Sequence, residues 1–203
     1  MTTMFRYEKR LFDLAAASVL LVVAAPLMLL IAILIRLTMG SPVFFHQPRI
    51  GLNGKLFEFL KFRTMVKNQE AVLGKNNISD APAGMLLKLR KDPRVTPLGR
   101  FLRRTSIDEL PQLFNVLRGE MSVVGPRPLL PFMAVGEKET LDKRASVPGG
   151  ITGWWQVKAR EHNTSLNDMI AYDLHYVENA SVLFDVWILC LTFPCIFSAR
   201  GAH

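Results

Sequence analysis

Hydrophobic positions along this chain fall into runs of different character. From Leu14 to Ile35 they form an uncharged stretch of 22 residues, bounded by Lys9, Arg10 and Arg36. As a helix rising about 1.5 Å per residue it would reach roughly 33 Å, enough to cross a hydrocarbon core. It is too long for a typical signal-peptide core. Pro26 interrupts the run near its middle, removes one backbone donor and pushes Ala25 away from helical geometry. Each arm is then about 12 residues, roughly 18 Å, too short to cross alone. Cations flank both ends, Arg6, Lys9 and Arg10 before it, Arg36 and Arg49 after it. The positive-inside preference would hold both ends on the cytoplasmic side. A helix that enters, bends at Pro26 and returns satisfies that preference, and a kinked spanning helix is the alternative the residues leave open.

After Gly40 the pattern shortens. "SPVFFHQPRIGLNGKLFEFLKFRTM" holds two aromatic-rich runs around a turn with Gly and Asn, which predicts a β-hairpin. In the second run Leu56, Glu58, Leu60 and Phe62 share one face; Phe57, Phe59, Lys61 and Arg63 share the other, so two cations would emerge side by side. Residues 66–95 read as a polar loop. "LGRFLRRTS" places Arg100, Arg103 and Arg104 on one helical face. The clearest helix carries Leu110, Leu113, Phe114 and Leu117 at the spacing of a buried stripe. Gly119 is its natural stop, Arg118 suits its C-terminal dipole, and Pro111 belongs in its first turn. A last apolar segment, "SVLFDVWILCLTFPCIF", is broken by Asp185 and Pro194; an interfacial helix and an ordinary core helix are equally compatible with it.

Charge changes the picture. The 203 residues carry 25 Lys+Arg against 17 Asp+Glu, a formal charge of +8, while half of them are hydrophobic. Excess base together with excess apolar surface points to anionic membrane headgroups. There is no zinc-finger spacing, RNA-binding aromatic motif or basic heptad region, so no nucleic acid is expected. Cys190 and Cys195 suggest neither a disulfide framework nor a zinc site.

The candidate chemistry lies in "RRTSIDELPQLFNVLRGEMSVVGPRP". Asp108 and Glu109 stand at the start of the clearest helix. Ser106-x-x-Glu109 fits a capping box, with Thr105 or Ser106 as cap, and first-turn acids favour the dipole. Arg100, Arg103, Arg104, Arg118 and Arg127 are more cation than a cap requires. A helix start ringed by arginine suits phosphate, and a carboxylate held ionised there can attack phosphorus or hold a divalent metal. "GPRP" adds a stiff turn that fixes the direction of Arg127.

Together these residues resemble the bacterial sugar transferase family, the monotopic phosphoglycosyl transferases. The likeness runs from "KRLFD" through "KFRTM", "DPRVTPLGRFLRRTSIDELPQLFNVLRGEMSVVGPRP" and "GITGWWQVKAR" to "YDLHYVENASVLFDVWIL". "DELPQLFNVLRGEMSVVGPRP" is highly specific, "KFRTM" moderately so. The chain resembles the small form, without the extra membrane helices of longer members.

The resemblance implies an α+β, mostly helical fold: a re-entrant membrane anchor over residues 1–39 with its break at Ala25-Pro26, then a cytoplasmic catalytic domain over 40–203 with a small β-hairpin and amphipathic interfacial helices. It implies transfer of a sugar phosphate from a UDP-sugar to undecaprenyl phosphate, with release of UMP, at the cytoplasmic face of the bacterial inner membrane. Asp108 would be the nucleophile, forming an aspartyl-phosphosugar, and Glu109 would assist Mg2+ binding or orient Asp108. Lys61, Arg127 and Arg160 would contact phosphates, with Arg63 and Arg104 as further candidates. Trp155 in "GWWQ" stands where many members have a small residue, a departure expected to alter the nucleotide or sugar pocket. The competing readings are another phosphotransferase or hydrolase using the same acids, and a membrane-anchored basic scaffold without activity.

Overall fold

A computed structural model describes residues 3–67, 92–134, 136–159 and 165–197. The fold is α+β and mostly helical, as the sequence predicts. Helix α1 spans Thr3–Met39. One stripe of it faces the protein: Lys9, Asp13, Ala17, Met28, Ile31 and Ile35 are buried, and Leu21 and Ala24 pack against the same cores. These positions are three or four apart throughout, which keeps them on one helical face. The opposite face, with Leu11, Val19, Val22, Val23, Leu29, Leu30, Ile33 and Leu37, is exposed. By length and composition Arg6–Met39 is apolar enough to cross a membrane. Pro26 lies inside the helix, which runs on through Ala25-Pro26 without the break expected there. Packing of both arms on the protein supports the turn where Pro26 removes a hydrogen bond.

Two of the cations before the apolar run, Lys9 and Arg10, are also tied into the protein. Lys9 is buried, donating to Asp13 at 3.3 Å, Ser122 at 2.5 Å and the Val124 carbonyl at 3.0 Å, and pairing with Asp185 at 2.7 Å. Tyr176 donates to the other oxygen of Asp185 at 2.7 Å. Arg10 donates to the carbonyls of Val116 and Leu117 at 2.6 and 2.8 Å.

Strands β1 (Phe44–Ile50) and β2 (Leu56–Phe62) form the expected antiparallel hairpin, in register from Phe44 opposite Phe62 to Ile50 opposite Leu56. Its turn uses left-handed residues at Asn53 and Gly54. Leu56 is exposed while Phe59, Leu60 and Phe62 are buried, so the outer end of β2 is solvated and its inner end is covered on both faces. Helix α2 (Pro97–Arg104) is capped by Thr96, whose hydroxyl accepts from the Gly99 amide at 2.9 Å. Helix α3 (Gln112–Arg118) ends at Gly119 with φ 83°, the stop read from the sequence.

Strands β3 (Met121–Val124) and β4 (Gly149–Thr152) pair in parallel, an element the hydrophobic pattern did not announce. Their close approach needs glycine: a Cβ on Gly150 would fall 2.1 Å from the Gly125 nitrogen. Helices α4 (Lys138–Arg144), α5 (Trp154–Lys158), α6 (Leu166–Asn179) and α7 (Val182–Phe197) complete the described fold. Helix α7 packs one side of the last apolar segment into the protein. Asp185 and Ile188 enter the core, while Leu183, Trp187 and Phe193 remain exposed.

Candidate active site

Helix α2 ends where the Thr105 hydroxyl donates back to the carbonyls of Phe101 and Leu102, at 2.9 and 3.1 Å. Ser106 then adopts a left-handed conformation (φ 57°, ψ 15°) that turns the chain into a short 3-10 turn, Ile107–Glu109, ahead of α3. An N-cap needs extended backbone, and Ser106 makes no capping hydrogen bond to this turn. Pro111 precedes α3, also without a side-chain cap. The capping-box explanation for the two acids therefore does not hold.

Asp108 is buried on this turn, and Glu109 pairs with Arg127 at 3.1 Å. Burial pushes the Asp108 carboxyl above the usual aspartate range, the Glu109 charge adds to that, and Lys61, Arg103 and Arg127 pull it back. Desolvation thus outweighs the field of the surrounding cations, which sets the direction of the shift. Burial likewise lowers the Lys61 ammonium, opposed by Glu109 and Asp108. Its nitrogen lies 5.6 Å from the centre of the Phe59 ring, and the Arg49 guanidinium lies 5.1 Å from the same ring. Burial, with help from Arg127, lowers Arg49 to about 10.

Three contacts place these groups. Asn115 on α3 accepts from the Leu60 amide at 3.1 Å and donates to the Glu58 carbonyl at 2.7 Å, clamping β2, and with it Lys61, to the helix that follows Asp108. Arg103 donates to Thr64 at 2.9 Å. Arg49 donates to the Pro128 carbonyl at 2.9 Å, beside Arg127. The result is two adjacent carboxylates facing several cations, an arrangement suited to an anionic substrate.

The bacterial sugar transferase family model matches residues 4–199. The chain belongs to that family. This transferase is 43% identical over 204 residues to the exopolysaccharide production protein ExoY of Rhizobium meliloti, covering 96% of this chain and 88% of that protein. It is 38% identical over 203 residues to the undecaprenyl-phosphate galactose phosphotransferase of Salmonella typhimurium, covering 98% of this chain and 42% of the relative. It is 42% identical over 205 residues to the undecaprenyl-phosphate glucose phosphotransferase of Komagataeibacter xylinus, covering 96% of this chain and 37% of the relative. The chain thus spans most of ExoY and about two fifths of the larger phosphotransferases.

Of the residues singled out from the sequence, the transferase fold brings Asp108, Glu109, Lys61 and Arg127 together. Arg63 does not stand beside Lys61. Strand β2 ends at Phe62, and Arg63 swings to the end of α1, donating to the carbonyls of Met39 and Gly40 at 2.5 and 2.7 Å. Arg104 is exposed, whereas its neighbour Arg103 faces Asp108. Arg160 lies outside the described residues. Arg49 and Asn115 were not among the sequence candidates, and Arg103 was named there only within the arginine cluster. Asn115 left a trace: it is a polar residue on the buried side of α3, between Leu113 and Val116.

Proposed function

We propose that this transferase moves a sugar 1-phosphate from a UDP-sugar to undecaprenyl phosphate through an aspartyl-phosphosugar on Asp108. The observation that carries this reading is a buried aspartate on an uncapped turn, faced by Lys61, Arg103 and Arg127. A carboxylate oxygen of Asp108 attacks the sugar-bearing phosphorus, and the bond from that phosphorus to the bridging oxygen breaks. UMP leaves with the bridging oxygen and the bonding pair. A phosphate oxygen of undecaprenyl phosphate then attacks the same phosphorus, and Asp108 departs as a carboxylate, leaving undecaprenyl diphosphate sugar. Dividing the transfer in this way lets one site serve both displacements. Lys61, Arg103 and Arg127 offset the negative charge that gathers as anion meets anion. Two relatives named for undecaprenyl phosphate support the acceptor.

Magnesium fits the donor set. Asp108 and Glu109 are adjacent hard oxygen donors, and among the described residues no group of three or more metal-binding side chains forms. Mg2+ is commonly held by one or two carboxylates together with substrate phosphates. When bound, the ion supplies charge neutralisation at the transferred phosphate.

We place the site at the cytoplasmic face of the inner membrane, with α1 as a re-entrant anchor. Support comes from the two ends of that helix. Lys9 near one end binds Ser122 and Asp185; Met39 at the other end accepts from Arg63. Both ends are fastened to one folded body, which favours an anchor that keeps them on the same side of the bilayer. The exposed face of α1 would meet lipid.

UMP release from UDP-galactose or UDP-glucose, with undecaprenyl phosphate and Mg2+ in lipid nanodiscs, tests the reaction. A covalent phosphosugar on Asp108, detected by mass spectrometry after donor alone, is the expected intermediate. Transfer that persists in Asp108→Asn without such an adduct would overturn the proposal.

A further inference from the structure

Arg127 pairs with Glu109 from a segment, Gly125–Pro128, in which buried arginines hold the carbonyls of Arg127 and Pro128. Arg144 at the end of α4 donates Nη2 to the Arg127 carbonyl, and donates through Nε and Nη2 to Asp173 of α6 at 2.9 and 2.6 Å. Arg49 holds the next carbonyl, that of Pro128, at 2.9 Å. Arg49, Arg144 and Asp173 are buried, with exposures of 8, 6 and 0%. A cavity of about 170 Å³, lined in part by Gly51, Pro126, Pro128 and Arg144, lies against the same segment. On that side the segment borders open space, so hydrogen bonds do much of the holding that packing does elsewhere.

A buried ion pair serving stability alone needs no contact with the site, and such pairs are often replaceable by apolar groups at little cost. Arg144 differs because its fork spans from Asp173 to the backbone of the very residue that meets Glu109. We propose that Arg144, braced by Asp173, is a positioning residue that aims Arg127 at the substrate diphosphate, with Arg49 fixing the following carbonyl. This rests on the reading of Arg127 as a phosphate contact. Arg144 itself touches neither acid in any described hydrogen bond; it acts through Arg127.

The test is a double-mutant cycle on UDP affinity, measured calorimetrically with the full chain in lipid nanodiscs. Lysine keeps the charge at 144 but lacks the planar fork that reaches both partners. Arg144→Lys is expected to weaken UDP binding about tenfold in the wild-type background, and less than about twofold when Arg127→Ala is already present. Asp173→Asn, which keeps an acceptor of the same shape, should show the same non-additivity at about threefold. It carries the cycle if Arg144→Lys does not fold. A purely structural role would lower the melting temperature and leave UDP affinity per folded molecule unchanged. That result, or equal losses in both backgrounds, overturns the assignment. Wild-type protein that binds UDP but releases no UMP from UDP-sugars would overturn the proposed reaction, while the cycle still decides the role of Arg144. Failure of wild-type protein to bind UDP at all would overturn the positioning role.

Discussion

Two lysines in this molecule each face a pair of acids, with opposite outcomes. Lys9 is saturated: Asp13, Ser122, the Val124 carbonyl and Asp185 all take contacts from its ammonium. Lys61 faces Asp108 and Glu109 electrostatically, yet its ammonium makes no hydrogen bond or ion pair among the described residues and lies over Phe59. A buried charge with every partner in place tolerates little change and holds parts together. A partly covered cation with its hydrogen-bonding capacity unspent is suited to an incoming anion. The same residue types make a fastening in one place and a site in the other, and the difference lies in how many contacts are already made.

The sharpest way to break this contrast is to remove one charge from each cluster. Asp108→Asn should lower UMP release by about a thousandfold or more, since it removes the attacking oxygen. Its melting temperature should not fall. Burial already disfavours the charged form of Asp108, so a neutral amide relieves a cost. Lys9→Met should do the reverse. It leaves the buried Asp13 and Asp185 charges without their cation and is expected to destabilise the fold by about 3–5 kcal/mol, read by denaturant unfolding, because one partner of a buried pair is lost. Activity per folded molecule should change little. A Lys9→Met protein that stays stable but loses transfer would show that the two clusters had been assigned the wrong way round.

Lys61→Met sharpens the comparison through pH. Transfer should fall about a hundredfold, with the folded fraction nearly intact. The sign of the accompanying shift follows from the charges. Lys61 pulls the Asp108 carboxyl down against burial and Glu109, so its removal lets that carboxyl rise. Attack requires the ionised carboxylate, so the acid limb of kcat/KM should move to higher pH in Lys61→Met. A limb that stays in place would mean that Asp108 is not the group titrating there.

Local elements were legible from the sequence, and contacts between distant segments were not. The helical stripe Leu113, Phe114 and Leu117, the stop at Gly119 and the turn of the β1–β2 hairpin each depend on neighbours a few residues away, whereas Leu110 and Pro111, expected inside that helix, fall just before it. The parallel pair of β3 and β4 joins residues 121–124 to 149–152, and neither four-residue strand is long enough to show a period. Ser106 matched a capping box in letters, but its left-handed backbone excludes one. Lys9 and Arg10 read as membrane-flanking charges because nothing local shows that Ser122, Asp185 and the end of α3 would come to meet them. At the site, the acids and Arg127 stood out by density. Arg49, Arg144 and Asp173 act across 79, 17 and 29 positions of chain, beyond any spacing rule.

The smallest effect concerns two adjacent arginines whose difference is one of direction. Arg103 and Arg104 close α2 within the one broad face the sequence assigns them, but a helix turns about 100° between successive residues, so they stand at opposite edges of that face with different headings. Leu102 is buried and Phe101 exposed, which fixes how the helix lies on the protein. That orientation turns Arg103 toward Thr64 and Asp108 and leaves Arg104 in solvent. Arg103→Gln should lower kcat/KM for the UDP-sugar about tenfold, through a cation that acts on Asp108 from a partly covered position. Arg104→Gln should stay within about twofold, as a solvated charge is well screened at physiological salt. Raising the salt should shrink the Arg104 effect further and leave most of the Arg103 effect. Equal losses in both variants, equally sensitive to salt, would mean that the cations serve as a diffuse basic surface, and the distinction between a poised site and a saturated fastening would lose its basis on this side of the turn.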